Sequence, residues 1–394
     1  MFSRIKDILY RHRRKIYIAG VLFGGAALFK RYVEYKLIEW HNTQTKTILE
    51  RQKKRQYYEN IQKTTNATIL NFSKSLKEVI IRDLDADALL QAIKEQPHHK
   101  QTIWEQLKNV GFSRAISVVY VSALAVSTLE VQLMLLGGYT FNDLCADGYA
   151  KTPISSRLQE KYLAAIHYLI EQGLSKLLVD ITRATDRIVS GLPLAHLLTI
   201  GQLEGILKEI HLSLRKEINL NESNGTCCLE PWSRYVMSVP ISPDWESDEE
   251  RVLYNMLLET CDILDSEDFS VVCDNLIQVG MNHLLDRVAE FYPVSSSIDP
   301  KSKWVDKVEQ GISNNQENIG SNMINQFPKS EKLYSGSFQS TMAVAKLVPV
   351  LSGLVHAALS PTPWQLLNEL MLNDKLVALG ANVYEAFSTH HVTD

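Results

Sequence analysis

Between Phe112 and Leu136 the chain carries its most hydrophobic internal segment, and Ala115–Leu129 within it holds no charged residue. A run of this kind must leave water wherever the chain folds, so the rest of the chain has to cover it. Either a bilayer or the centre of a helical body can do that. Ser117, Ser122, Ser127 and Thr128 interrupt the run, and Glu130 and Gln132 stand inside its last turns. Polar groups at that density are costly against lipid but can be satisfied inside a protein, so a buried central helix is expected, ended by Gly137-Gly138.

The flanking sequence is helical by its periodicity. Tyr35–Lys54 reads as a helix with Ile38, Trp40 and Ile48 spaced along it, and Ile69, Leu70, Phe72, Leu76, Val79 and Ile80 form an apolar stripe over Thr65–Ile81. Asp85 can cap a short helix at Ala86–Glu95, which Pro97 ends, and Gln101–Val110 restarts. Further helices are expected at Ser156–Gln172, Leu174–Val189, His196–Ile218, Glu249–Ser266 and Ser270–Phe291, and then at Ser340–Leu359, Pro361–Leu372 and Asp374–Phe387. Residues 219–247 contain Pro231, Pro240 and Pro243 and read as a surface excursion, with Tyr235–Ile241 extended; 293–339 are rich in Ser, Asn, Gln and Gly and read as a mobile loop. No run of alternating strands and no repeat of fixed period is present, so the class is all-α.

The N-terminus sets where such a body works. Arg11-His-Arg-Arg-Lys15 leads into Ile16–Phe29 without a charge, and Lys30-Arg31 follow. As a helix those fourteen residues span about 21 Å, short of a hydrocarbon core of about 30 Å. The span reaches Val33 when Lys15, Lys30 and Arg31 snorkel to the headgroups. No small-x-small cleavage site follows Phe29, and the apolar residues form a block rather than the stripe of a presequence. The expectation is a basic targeting head at 1–15, a transmembrane anchor at 16–33, one all-α domain at 34–388 and a short tail at 389–394. Residues 1–36 carry a net +7, leaving −11 for the remainder. The basic head suits membrane lipid, and the acidic body argues against nucleic acid. Five cysteines (Cys145, Cys227, Cys228, Cys261 and Cys273) without a CxxC pair point to reduced thiols in a cytosol-like compartment.

Reaction machinery is absent from the sequence. It contains no GxGxxG after a strand, no Walker Lys-Ser/Thr, no GxSxG and no HExxH. His98-His99 lacks an acidic or cysteine partner at ligand spacing, and Asp83, Asp85 and Asp87 lack the glycine and terminal glutamate of a calcium loop. The expectation is a protein that binds rather than catalyses, with no cofactor and no metal.

One stretch reads as a surface for a partner. Lys100, Trp104, Leu107 and Lys108 fall at i, i+4, i+7 and i+8, an aromatic and aliphatic face rimmed by lysine, with Ile93 across the proline turn. Spacing alone leaves open whether Trp104 is an anchor for a partner helix or a core residue with snorkelling lysines.

The chain resembles the peroxisomal biogenesis factor 3 family over most of its length. The likeness rests on the basic head with its Gly-Gly anchor, Arg55-Gln-Tyr-Tyr-Glu-Asn, Ile103-Trp-Glu-Gln-Leu-Lys and Val131-Gln-Leu-Met-Leu-Leu-Gly-Gly-Tyr139. It continues through Asp268-Phe-Ser, Arg287-Val-Ala-Glu-Phe and Ala381-Asn-Val-Tyr-Glu-Ala-Phe-Ser388. The resemblance implies an elongated all-α bundle in the cytosol, held in the peroxisomal membrane by one N-terminal transmembrane helix. It also implies a docking receptor for the chaperone that delivers new peroxisomal membrane proteins, peroxisomal biogenesis factor 19. An amphipathic helix of that chaperone would sit in a groove built by Ile93, Lys100, Trp104, Leu107 and Lys108, with Lys346 as a second rim lysine. Thr140 replaces an aliphatic residue of some relatives, so one groove wall is expected to be less apolar. Six basic residues precede the anchor and four follow it closely, which by charge alone favours a cytosolic N-terminus; the resemblance implies the reverse, with the body in the cytosol, and the reduced cysteines agree with it. The rival reading is a membrane-anchored tether for organelle-inheritance or autophagy adaptors.

Overall fold

The computed structural model describes residues 2–95, 97–145, 154–220, 232–237, 247–293, 340–359 and 366–388. The longest helices are α1 (Phe2–Asp83) and α3 (Lys100–Cys145), with α2 (Ala86–Glu95) between them. Then come α4 (Ser156–Ala164), a single turn α5 (Ile166–Tyr168), a wide π-type turn at Leu169–Gly173, α6 (Leu174–Val189) and α7 (Ile200–Leu220). A short turn of helix, α8 (Ser233–Val236), precedes α9 (Asp248–Leu264) and α10 (Glu267–Ala289). The chain ends in α11 (Val344–Ala358), α12 (Leu366–Met371) and α13 (Asp374–Ser388). Two residues of β1 (Leu197–Leu198) pair antiparallel with two of β2 (Met342–Ala343), and the fold is all-α as expected.

Residues 1–59 and 60–394 form two units. In the first, the backbone is helical over its described residues, and Tyr35, Leu37, Trp40, Ile48 and Leu49 are exposed. The expected anchor at 16–33 therefore has the helical backbone a span requires.

The second unit is built around α3. Every residue from Gly111 to Gly138 is buried, and α3 packs chiefly against α13, α11, α6 and α10. The helix is long and apolar enough to cross a membrane, but its apolar window lies wholly inside the body. The segment is the expected central helix. Its length is not as expected. Gly137-Gly138 does not end it, and the helix runs on to Cys145. A Cβ at Gly137 would stand 2.2 Å from Ile61 Cδ1, and one at Gly138 would stand 2.7 Å from Phe387 Cβ. These glycines let α1 and α13 approach, which outweighs their modest helix-breaking cost of about 1 kcal/mol each.

Local signals explain several helix starts. Asp85 Oδ1 accepts from the backbone N–H of Asp87 and Ala88 at 3.0 Å each and caps α2. Ser155, Ser247 and Ser266 cap α4, α9 and α10 through their hydroxyls. The break expected at Gly173 does not occur, since the backbone stays helical through the π-type turn into α6; the glycine makes room instead, as a Cβ there would lie 1.6 Å from the carbonyl oxygen of Tyr235. That contact corrects the reading of 219–247 as a surface excursion with Tyr235–Ile241 extended. Trp232, Tyr235, Val236 and Met237 are buried, and 233–236 are helical. Ser233 donates from N and Oγ to Asp265, while Tyr235 Oη donates to Asp180. The apolar side chains drive this turn into the body, and Gly173 makes room. Residues 221–231, 238–246, 294–339 and 389–394 lie outside the described residues, as do Cys227 and Cys228 and the core of the expected loop. Among the described residues, Cys261 and Cys273 are free thiols.

Candidate partner-docking site

The α2–α3 hairpin carries most of the expected site. Its turn, Pro97–His99, leaves His98 and His99 exposed, and no group of metal-ligating side chains occurs among the described residues. Lys100 is exposed, and Ile93 and Trp104 are half-buried. Leu90, one turn before Ile93, is an exposed apolar neighbour that the spacing did not single out.

Leu107 and Lys108 are elsewhere. Leu107 is buried in the core, and the Lys108 side chain has no exposed surface. Its ammonium donates to Glu105 Oε2 at 2.5 Å and Leu192 O at 2.6 Å, with Ser190 O at 3.5 Å. Ser190 and Leu192 belong to the turn that closes α6, where free carbonyls favour a cation. In this structure Lys108 is therefore an internal strut rather than a rim lysine, because three acceptors compensate its burial.

The same turn fixes Lys346. Val344 N–H donates to His196 O at 3.0 Å and Ala345 N–H to Leu194 O at 2.9 Å, which seats the start of α11 on residues 190–198. The register between α11 and α3 follows from two contacts. Gly111 faces Val348, and Arg114 Nη1 donates to Ser352 Oγ at 3.1 Å. The helices run parallel, so Val344 stands level with Leu107, and Lys346, two residues on, is exposed. Trp104 and Lys100 lie beyond the end of α11, on the α3 face that one turn later is wholly covered. Lys100 is exposed there and Trp104 half-buried. Arg114 also donates to Leu84 O at 2.5 Å, tying the end of α1 to the same layer. The Gly191-Leu-Pro193 turn, which in the sequence only separates two helices, thus leads into the carbonyls that hold Lys108 on one side and the start of α11 on the other.

Thr140 does not belong to this site. It lies on the same helix as Trp104 but 36 residues on, about 54 Å away at helical rise, and its hydroxyl is bonded to Leu136 O. It forms no wall there, and the expectation of a less apolar groove falls with it.

The arrangement offers half-exposed Trp104 and Ile93, exposed Leu90, and two cations, Lys100 and Lys346.

The Peroxin-3 family model matches residues 7–102 and 146–386. Ile93, Lys100 and Lys346 fall inside those spans, and Trp104 falls between them. Curated relatives span nearly the whole chain. The chain is 28% identical over 396 residues to peroxisomal biogenesis factor 3 of Bos taurus, covering 99% of this chain and 98% of that protein. It is 29% identical over 405 residues to that of Rattus norvegicus, with the same coverage. The peroxisome biogenesis protein 3-1 of Arabidopsis thaliana is 22% identical over 299 residues, 68% of this chain and 79% of that protein. A likeness to a family model over both ends and most of the middle, on an all-α body, is decisive: the chain belongs to the Peroxin-3 family.

Proposed function

We propose that this member of a peroxisome biogenesis family is the docking receptor for the chaperone that carries newly made membrane proteins, peroxisomal biogenesis factor 19. The observation that carries the reading is the overhang of α3. Trp104 extends past the start of α11, and Ile93 on α2 is also half-buried, so an incoming amphipathic helix can continue the layer that α11 begins. Lys100 and Lys346 would face acidic residues on that helix. Leu107 would underlie the site, and Lys108 would hold its floor through the 190–196 turn. The segment 16–33 anchors the chain in the peroxisomal membrane, against lipid, with the helical body in the cytosol.

Truncating a partly buried tryptophan at a helix-in-groove interface costs about 2–4 kcal/mol, roughly 30–1,000-fold in affinity. Trp104→Ala should produce that loss by calorimetry against a peptide of the chaperone's N-terminal helix, with the circular dichroism of the body unchanged. Unaltered affinity would sink the site. The anchor is checked separately: residues 1–40 fused to a fluorescent protein should reach peroxisomes, and the chain lacking them should stay diffuse.

A further inference from the structure

About half a turn round α3 from Lys100 and Trp104, the side chains of Gln106, Asn109 and Val110 line a second feature: an open groove of about 870 Å3. Its other walls are the end of α1, α2 and α6. The floor is apolar. Leu84 and Leu178 are buried, Leu89 and Val110 are half-buried, and Val179 is 56% exposed. Val179 thus puts an open apolar side chain on the floor of the groove.

Hydrogen bonds between elements hold the walls. Ser175 Oγ on α6 donates to Asp83 Oδ2 at 2.6 Å, and Asn109 Nδ2 on α3 donates to Asp186 Oδ1 at 2.5 Å. The groove is thus formed before anything enters it, which lowers the cost of binding.

The charges at its border do not cancel. Asp83 is paired with Arg82 at 2.7 Å, and Arg183 with Asp180 at 3.2 Å. Asp85 accepts from two backbone N–H groups and Asp186 from the Asn109 amide, all neutral donors, and of the two Asp85 alone also feels the buried Arg114 guanidinium. Such a border repels the phosphate of a lipid headgroup and attracts lysine or arginine. A small molecule would leave much of itself in water here, because the groove is open along its length. A helix laid into it would not.

We infer that this groove docks a short basic amphipathic helix of a partner protein. Its apolar residues cover Val179, Leu89 and Val110, and its cations face Asp85 and Asp186. The preference is opposite in sign to that of the Trp104 surface, so one helical hairpin would serve two partners of opposite charge. The inference stands whether or not the chaperone docks at Trp104.

The test uses the full chain in nanodiscs of neutral phosphatidylcholine and a fluorescein-labelled helix of leucine and lysine at i, i+3, i+4 spacing, read by anisotropy. The control is the same helix with glutamate in place of lysine. Saturable binding is expected for the lysine helix, with affinity at least about tenfold weaker for the glutamate helix and for Val179→Lys. Asp186→Asn, which keeps the bond to Asn109, should weaken binding several-fold and flatten its salt dependence. Trp104→Ala should leave it unchanged. Equal binding of both helices overturns the inference, as does unchanged affinity in both groove variants or loss of binding in Trp104→Ala. Sedimentation of the unliganded chain supplies the last arm: dimers that Val179→Lys dissociates would make a second copy the occupant and overturn the inference too.

Discussion

Trp104 and Lys108 stand one turn apart on α3, and the structure gives them opposite work. Trp104 lies past the end of α11 and keeps exposed surface, whereas Lys108 is level with the start of α11 and has none. The expected effects separate accordingly. Lys108→Met leaves the carbonyls of Ser190 and Leu192 without their cation, which should lower unfolding stability by about 2–4 kcal/mol in urea. Its effect on affinity for the chaperone helix should be secondary. Trp104→Ala should do the reverse. A second residue-scale effect belongs to Glu130, buried in the middle of α3 and in contact with Gly380 of α13, where a Cβ would stand 2.3 Å from its Oε1. Burial pushes its carboxyl up to about 7 from an ordinary 4.5. The folded protein therefore holds this proton more tightly than the unfolded chain. Stability falls as pH rises from about 4.5 to about 7, and the penalty is complete above that. Glu130→Gln should raise stability at pH 8 by something on the order of 3 kcal/mol, and the gain should fade toward pH 5. A gain of equal size at both pH values would assign it to packing rather than to the charge. Of the six residues read from the sequence, spacing could locate Lys100 and Trp104 on one stripe of α3. It could not say that the turn after α6 folds over Lys108, which decides that this part of the stripe is closed.

The helices themselves were legible wherever caps and period agreed. Asp85 begins α2 where the sequence indicates, and α6 spans Leu174–Val189 as its periodicity predicts. Glycine was the element-scale difficulty, because its absent side chain has two uses. At Gly137 and Gly138 the expected helix end is a close approach by Ile61 and Phe387. At Gly173 a break between helices was expected, but the backbone stays helical through a π-type turn, and the glycine admits the backbone of Tyr235, on a segment more than 60 residues on. Nothing local in the sequence announces a contact of that range. Gly173→Ala places a methyl group 1.6 Å from a carbonyl oxygen, where no side-chain rotation can relieve it. The Trp232–Met237 turn must then leave its seat, losing four buried apolar side chains and the bonds of Ser233 to Asp265. The expected result is rapid proteolytic cutting near residue 232 and a stability loss of about 3 kcal/mol or more. Unchanged proteolysis would mean that the turn is not held as described.

At the scale of the whole molecule, the puzzle is how a chain can carry so apolar a helix as α3 without losing it to a membrane. The answer lies in who covers it. α11 and α13 come from the last 51 residues, and they are the principal neighbours of a helix that begins at Lys100. A periodicity argument finds all three helices but cannot pair elements so distant along the chain, which is why the central helix was legible and its partners were not. α11 is fixed against Gly111 and Arg114, and α13 against Gly138 and Glu130, so together they cover both halves of α3. A chain ending at residue 339 would keep the N-terminal anchor and α3 but lose this cover. The uncovered face would then satisfy the length and composition of a membrane span, and Arg114 would lose its bond to Ser352. Such a chain should aggregate when made without membranes and resist high-salt extraction when made with them. A chain beginning at residue 34, with α11 and α13 present, should remain dispersed in buffer and bind the chaperone helix as the full chain does. If the chain ending at 339 stayed monomeric and helical in buffer, α3 would not depend on its C-terminal cover, and the central role given to that packing would fail.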